Sequence, residues 1–317
     1  MVVSSSNILG RPTIYIIYLS RLRYLSFINF KWFKIGVLLC LLGLFTVVHF
    51  GLPLLIVDTQ SNAIRKPSLN DNRQYARFEG AQGDTLAAFF SKATSNEQGT
   101  IILLHGIRGY KEHFSELAIR LNGKGYNTLA LDLRAHGASD GRYCTYGYYE
   151  KYDVQKAVDF LITQGVDSNI GVWGQSLGGA IALQALAIEP RLKFGIIEST
   201  FSEFTAIVDD YSERMFGFSI SYVNQYALYR ASEIADFKPE EVSPLCSAAN
   251  IHQPIFISHG TEDKHIKYKY GKANFDNLAS ANKTLFPVEG AVHHNVWQVG
   301  GEAYFERVFN FLSSLRK

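Results

Sequence analysis

The sequence predicts an α/β fold: a mostly parallel sheet with helices on both faces, preceded by one membrane-spanning helix. Three observations predict it. Short apolar runs alternate with helix-periodic segments from residue 75 onward, the pattern of strands joined by crossover helices. One of those runs ends in Gly174-Gln175-Ser176-Leu177-Gly178-Gly179 and passes directly into a helix-like segment. Residues 35–57 form a nearly unbroken apolar stretch, long enough to cross a bilayer core of roughly 30 Å.

Taken in order, residues 58–74 are polar and aperiodic and read as a linker. Residues 75–79 and 85–91 alternate around Gly80 and Gly83, which reads as a hairpin. Residues 100–104 predict a strand, 113–122 a helix and 127–131 a strand. In 150–164, Val154, Ala157, Val158 and Leu161 recur at helical spacing and define one apolar face. The strand and helix around Ser176 come next, then a strand over 193–198. Residues 201–250 interrupt the alternation with a helical, aromatic-rich insertion containing Phe204, Tyr211, Phe216, Phe218, Tyr222, Tyr226 and Tyr229. Two further strand-like runs, 254–260 and 284–288, follow it.

The corner at Ser176 carries chemistry. Between a strand and a helix, GxSxG holds a serine on a strained turn with its oxygen exposed at the carboxyl end of the sheet. Small flanking residues are required because the two backbones nearly touch. Leu177 opens the helix, so its N–H would point toward negative charge developing on a substrate oxygen. An activated serine needs a base, and the base needs a group to orient it. Thr261-Glu262-Asp263 follows the strand-like run at 254–260, and Glu289-Gly290-Ala291-Val292-His293-His294 follows the one at 284–288. With parallel strands, serine, carboxylate and histidine all fall at one sheet edge. Asp263 and His293 are the expected partners of Ser176, with Glu262 and His294 as their respective competitors. His105, His136 and His259 precede glycines at strand ends and read as structural hydrogen-bonding residues.

These segments resemble the α/β-hydrolase superfamily, nearest its serine-aminopeptidase-like and membrane-anchored bacterial hydrolase branches. Other matching stretches are Leu103-Leu104-His105-Gly106-Ile107-Arg108-Gly109, the run from Leu131 to Gly141, and Ile197-Glu198-Ser199. The resemblance covers roughly residues 75–315. It implies that the residue after His105-Gly106, Ile107, donates the second oxyanion N–H, with Arg108 as the alternative donor. The spacing Gly290-Ala291-x-His293…Trp297 matches the family pattern and favours His293 over His294 as base; the His294-Asn295 pair keeps His294 in contention. Insertions at the position of 201–250 commonly form a lid in this fold, and an apolar lid favours acyl chains or aromatic groups as substrate.

Composition bounds the rest. The chain has 317 residues and a formal net charge of +2, with no basic patch that would suggest nucleic acid. The first 57 residues contain Arg11, Arg21, Arg23, Lys31 and Lys34 and no Asp or Glu, so the remainder is slightly acidic. The apolar stretch lacks the small residues of a cleavage site and any polar face, which argues against a cleaved leader and a buried helix. Its basic flank precedes it. A single-pass anchor is therefore expected, with the amino terminus cytoplasmic and the catalytic domain extracytoplasmic. The expected parts are a basic tail to residue 34, the span 35–57, the linker 58–74, and a domain over 75–317. Cys144 and Cys246 could pair if the domain faces an oxidising compartment, although two free thiols are the favoured reading, and no spacing suggests a metal.

The expected activity is hydrolysis of an ester, thioester or amide in a small acyl-containing substrate, a lipid or a peptide, without a cofactor. Ser176 attacks the carbonyl, His293 relays the proton, Asp263 fixes the imidazole, and water clears the acyl-enzyme. A serine peptidase and an acyltransferase are the alternatives with the same residues. A non-catalytic binding protein on a hydrolase fold is the alternative of another class.

Overall fold

A computed structural model describes residues 30–59, 73–166 and 169–315. The basic tail before residue 30 and most of the expected linker lie outside the described residues. The chain divides into two compact units, Met1–Leu52 and Pro53–Lys317.

The described part of the first unit is helical, and belongs to the apolar helix α1, Phe30–Val57. Its most apolar stretch has no residue buried against protein. Residues 30–52 alone rise about 35 Å at 1.5 Å per residue, enough for a hydrocarbon core. By length and composition α1 could serve as a membrane anchor or a signal sequence.

The last five residues of the expected span belong elsewhere. Pro53 and Val57 are buried within the second unit. The Val57 carbonyl accepts the Cys144 N–H at 3.0 Å, and the Ile56 carbonyl accepts the Tyr146 hydroxyl at 2.7 Å. The carboxyl end of the span expected over 35–57 thus falls in the second unit, while the apolar helix itself runs on to Val57. Leu-Leu-Ile-Val is as apolar against a protein core as against lipid, so the sequence alone cannot divide the run.

The second unit is built on an eight-stranded sheet. The strands are β1 Gln74–Glu79, β2 Thr85–Ser91, β3 Gly99–Leu104, β4 Tyr126–Leu131, β5 Ile170–Gln175, β6 Leu192–Glu198, β7 Ile255–Gly260 and β8 Lys283–Val288. Their order is β1-β2-β4-β3-β5-β6-β7-β8. The hairpin strands β1 and β2 pair antiparallel, as do β2 and β4; every other pair is parallel. The helices are α2 Ser115–Gly123, α3 Glu150–Thr163, α4 Leu177–Leu186, α5 Phe204–Phe216, α6 Ser221–Ala235, α7 Pro244–Ala248, α8 Tyr268–Asn277 and α9 Val296–Ser314.

Central strands β3, β4 and β7 are buried along their whole length, as a sheet covered on both faces requires. The period of two sorts their side chains. Ile102 and Leu104 point into one core with Val172, Val158 and Ile181, whereas Ile101 and Leu103 point into the other with Trp173, Phe256 and Val308. Truncating one of these, such as Ile102→Ala, should cost about 2–5 kcal/mol. Two buried ion pairs fix the loops beyond β4. Lys111 Nζ reaches Asp132 at 2.7 Å, and Arg134 makes paired bonds to Asp153 at 2.7 and 2.8 Å.

The insertion divides in two. Helices α5 and α6 form a hairpin whose base packs Phe204, Ile207, Leu228 and Ala231 into a third core together with Val57 and Phe237. Helix α7 instead lies in the layer covering the sheet, with Ala248 buried in the first core. Only the α5–α6 hairpin stands apart from the sheet layers.

Candidate active site

The strand order reverses at β3: the chain moves from β3 to β4 on one side, then returns through α3 to β5 on the other. Open α/β sheets bind ligands at the carboxyl ends of strands at such a point. Ser176 sits there, at the corner between β5 and α4. Its φ of 55° and ψ of −116° place a non-glycine residue in a sparsely populated region. The flanking glycines are required by contact. A Cβ on Gly174 would lie 2.1 Å from the Gly178 carbonyl oxygen, and one on Gly178 would lie 2.0 Å from that of Leu104. Strand and helix backbones thus touch, and the serine has no room to relax out of its strained conformation.

Loops after β7 and β8 complete a hydrogen-bonded chain. Ser176 Oγ lies 2.9 Å from His293 Nε2, and His293 Nδ1 lies 2.7 Å from Asp263 Oδ2. All three side chains are buried. Asp263 also accepts the N–H groups of His265 at 2.8 Å and Ile266 at 2.9 Å through Oδ1. Burial favours its neutral form, but the neighbouring Nε2–H of His259, the hydrogen bond and charge of His293, and the Ile266 N–H outweigh it. The carboxyl is held well below the usual carboxylate range. Glu262 and His294 take no part in this chain. His294 packs edge-on against His293, with ring centroids 4.7 Å apart.

Leu177 is the first residue of α4, so its N–H has no intrahelical acceptor. Ile107 follows Gly106, whose backbone is close to the serine: a Cβ built there would be 3.7 Å from Ser176 Oγ. The three structural histidines behave as expected. His105 donates from Nδ1 to the Gly106 carbonyl at 2.8 Å and accepts the Leu133 N–H at Nε2. His136 bonds the Arg134 carbonyl and His259 that of Ile266. Arg108 is exposed.

Two features escape a reading of the sequence. The first is Glu198, fully buried at the end of β6. It accepts from Gln175 Nε2 at 2.8 Å, Trp297 Nε1 at 2.6 Å and the Tyr304 hydroxyl at 2.9 Å. One carboxylate thus ties the residue before Ser176 to the helix that follows His293. Burial raises its pKa, and the three donors pull the other way. The second is His265, whose ring stacks on His293 at 5.5 Å with planes 10° apart. Burial, Arg214 and the other two histidines lower its pKa, and the charge of Asp263 opposes them. The only signal in the sequence is its place two residues after Asp263. Among the described residues no cluster of His, Cys, Asp and Glu is suited to hold a metal ion. Cys144 is buried and Cys246 exposed, and both are free thiols.

A strained serine corner at the switch point of an eight-stranded, mostly parallel sheet defines the α/β-hydrolase fold. A family model described as serine aminopeptidase S33 matches residues 95–209, a stretch that includes Ser176 and ends before Asp263 and His293. The chain is 25% identical to the uncharacterized protein YqkD of Bacillus subtilis over 241 residues, covering 70% of this chain and 74% of the relative. It is 27% identical to the alpha/beta hydrolase domain-containing protein WAV2 of Arabidopsis thaliana, covering 74% and 76%. The esterase Pf2001 of Pyrococcus furiosus superposes with a TM-score of 0.68 at 22% identity, covering 81% of this chain and 98% of that structure. The family model, the relatives and the structural neighbour together support the α/β-hydrolase superfamily for this chain.

Proposed function

We propose that the protein is a serine hydrolase that cleaves an ester or related acyl bond through an acyl-enzyme. The observation that carries this reading is the unbroken chain Ser176–His293–Asp263, with hydrogen bonds of 2.9 and 2.7 Å at the carboxyl edge of the sheet. In this mechanism His293 Nε2 takes the proton from Ser176 Oγ as the oxygen attacks the substrate carbonyl. The ionised Asp263 holds the Nδ1–H tautomer and stabilises the imidazolium that forms. The N–H groups of Leu177 and Ile107 receive the oxyanion. His293 then protonates the leaving group, and water enters by the same base to release the acid.

An ester is favoured over a peptide. An aminopeptidase needs an unengaged carboxylate near the serine to bind a substrate ammonium group. On α5, Asp209 is bonded to Asn224 and Ser219, and Asp210 to Lys267 and Tyr270. The family model's description and the esterase neighbour keep peptide and ester substrates in one test panel. The α5–α6 hairpin acts as the lid. The apolar helix anchors the protein in a membrane, and the five basic residues before Ile35 favour an amino terminus in the cytoplasm and a catalytic domain outside.

Turnover of a panel of ester, thioester and peptide substrates by the purified chain and by Ser176→Ala tests the reading. Ester turnover that disappears in the variant supports it; a substrate cleaved equally by both proteins removes Ser176 from the chemistry.

A further inference from the structure

The α5–α6 hairpin is apolar at both ends, yet only its base is covered. At its tip Met215, Phe216, Phe218, Ile220 and Tyr222 lie within eight residues of sequence and all are exposed, Phe218 at 59% and Tyr222 at 85%. Gly217, in the left-handed conformation at φ 78°, ends α5 and turns the chain back toward α6. Soluble surfaces rarely leave so many large apolar side chains together in water without a partner. Between Glu213 and Glu233 the hairpin contains no Asp or Glu; it contains Arg214, three tyrosines, and Arg230, which pairs with Glu233. Aromatic and aliphatic side chains beside arginine, with no acids, are the composition of a segment that lies in a lipid interface.

The base of the same hairpin says which surface is near. Val57, at the end of the apolar helix, is fully buried in one core with Phe204, Ile207, Leu228 and Ala231 of α5 and α6. The chain thus passes from the candidate span into the hairpin base within about five residues, roughly 8 Å of helix. From Leu228 to the tip is about ten residues, or some 15 Å. The hairpin base is therefore joined to the candidate span by only a few residues of chain.

We propose that the tip of the α5–α6 hairpin docks into the lipid bilayer, so that the candidate site draws its acyl substrate from the membrane surface. This rests on the reading of the apolar helix as an anchor. The anchor makes docking an intramolecular event, so a patch too small to hold a free protein on lipid is held there by high effective concentration. Arg214, beside the tip, acts electrostatically on His265 and His294 next to His293, which brings that end of the hairpin to the candidate site and makes membrane-borne esters of a hydrophobic acid the matching substrate class.

The test uses the full chain in vesicles of phosphatidylcholine and phosphatidylglycerol. In a background with Cys40→Ser and Cys246→Ser, Phe218→Cys carries an environment-sensitive nitrobenzoxadiazole dye; Ile119→Cys, exposed on α2, is the control. Docking predicts a blue-shifted emission at position 218, quenched severalfold more strongly by lipids with a shallow nitroxide than emission at position 119. A water-like, unquenched signal at 218 in protein that resists carbonate extraction overturns docking and leaves the anchor standing. Protein released by carbonate overturns the anchor reading and docking with it. A shift at 218 that needs no lipid and grows with protein concentration assigns the patch to a second copy of the chain and overturns docking. In parallel, the double variant Phe218→Ser, Ile220→Ser should turn over a vesicle-borne ester about tenfold more slowly while a soluble ester is cleaved at the unaltered rate, equivalent to about 1.4 kcal/mol. Equal loss on both substrates contradicts the proposal.

Discussion

His293 Nε2 lies 2.9 Å from Ser176 Oγ across 117 residues of sequence, because parallel strands β5 and β8 deliver their following loops to one edge of the sheet.

Ser176→Ala should lower ester turnover by a factor on the order of 10⁶ with little change in stability. The side chain makes one hydrogen bond, to His293, and its strained backbone is fixed by the glycines around it. Kinetics and thermal unfolding of the same preparation check both halves.

His293→Ala should be nearly as damaging as loss of the serine, whereas His294→Ala should cost less than about tenfold. His294 touches the base only by ring contact and makes no bond to Ser176 or Asp263. Asp263→Asn should lower kcat by about 10⁴ by presenting the wrong hydrogen-bonding partner to Nδ1. A dead His294→Ala enzyme beside an active His293→Ala enzyme would move the base by one residue.

Glu198 is a positioning residue. Glu198→Ala leaves three buried donors unpaired, on Gln175, Trp297 and Tyr304, and loosens the segments that carry Ser176 and His293. It should lower kcat by about 10–100-fold with KM changed less than about twofold. Glu198→Gln keeps an acceptor and should recover most of the rate. A purely structural role would lower the unfolding temperature without that split between kcat and KM.

Acid should destabilise the fold through His105 and His136. Burial lowers both pKa values; in His105 the nearby His136 adds to it, and in His136 the bond to the Arg134 carbonyl opposes it. His105 Nε2 must stay unprotonated to accept the Leu133 N–H. A histidine with a depressed folded pKa contributes its full stability above its unfolded pKa of about 6.5 and loses it as pH falls below that value. Each contributes a slope of at most about 1.4 kcal/mol per pH unit in that window. Urea unfolding of wild type and His105→Gln between pH 7 and 5 measures the difference; equal slopes would remove His105 as the cause.

The sheet was legible because strand and helix leave different periods in the sequence, and the serine corner because only small residues fit where β5 and α4 touch. Ser176, Asp263 and His293 could be named from their places after three apolar runs. What was hidden depends on contacts distant in sequence. Glu198 meets Trp297 across 99 residues, and nothing local marks that pairing. Val57 ends an apolar run that would suit lipid equally well, and its burial beside Phe204 together with its bond to Cys144 ties it to the domain. The aromatic insertion was visible, but not which rings it buries: Phe204 is covered and Phe218 is not, although both sit on the same hairpin.

The central claim is that Ser176 is a nucleophile activated by His293. A fluorophosphonate probe, reacted with the full-length chain and mapped by peptide mass spectrometry, tests it most directly. One phosphonyl adduct is expected, on Ser176, abolished by Ser176→Ala and strongly slowed by His293→Ala. No adduct on native protein, or an adduct on another residue that survives Ser176→Ala, would contradict the assignment.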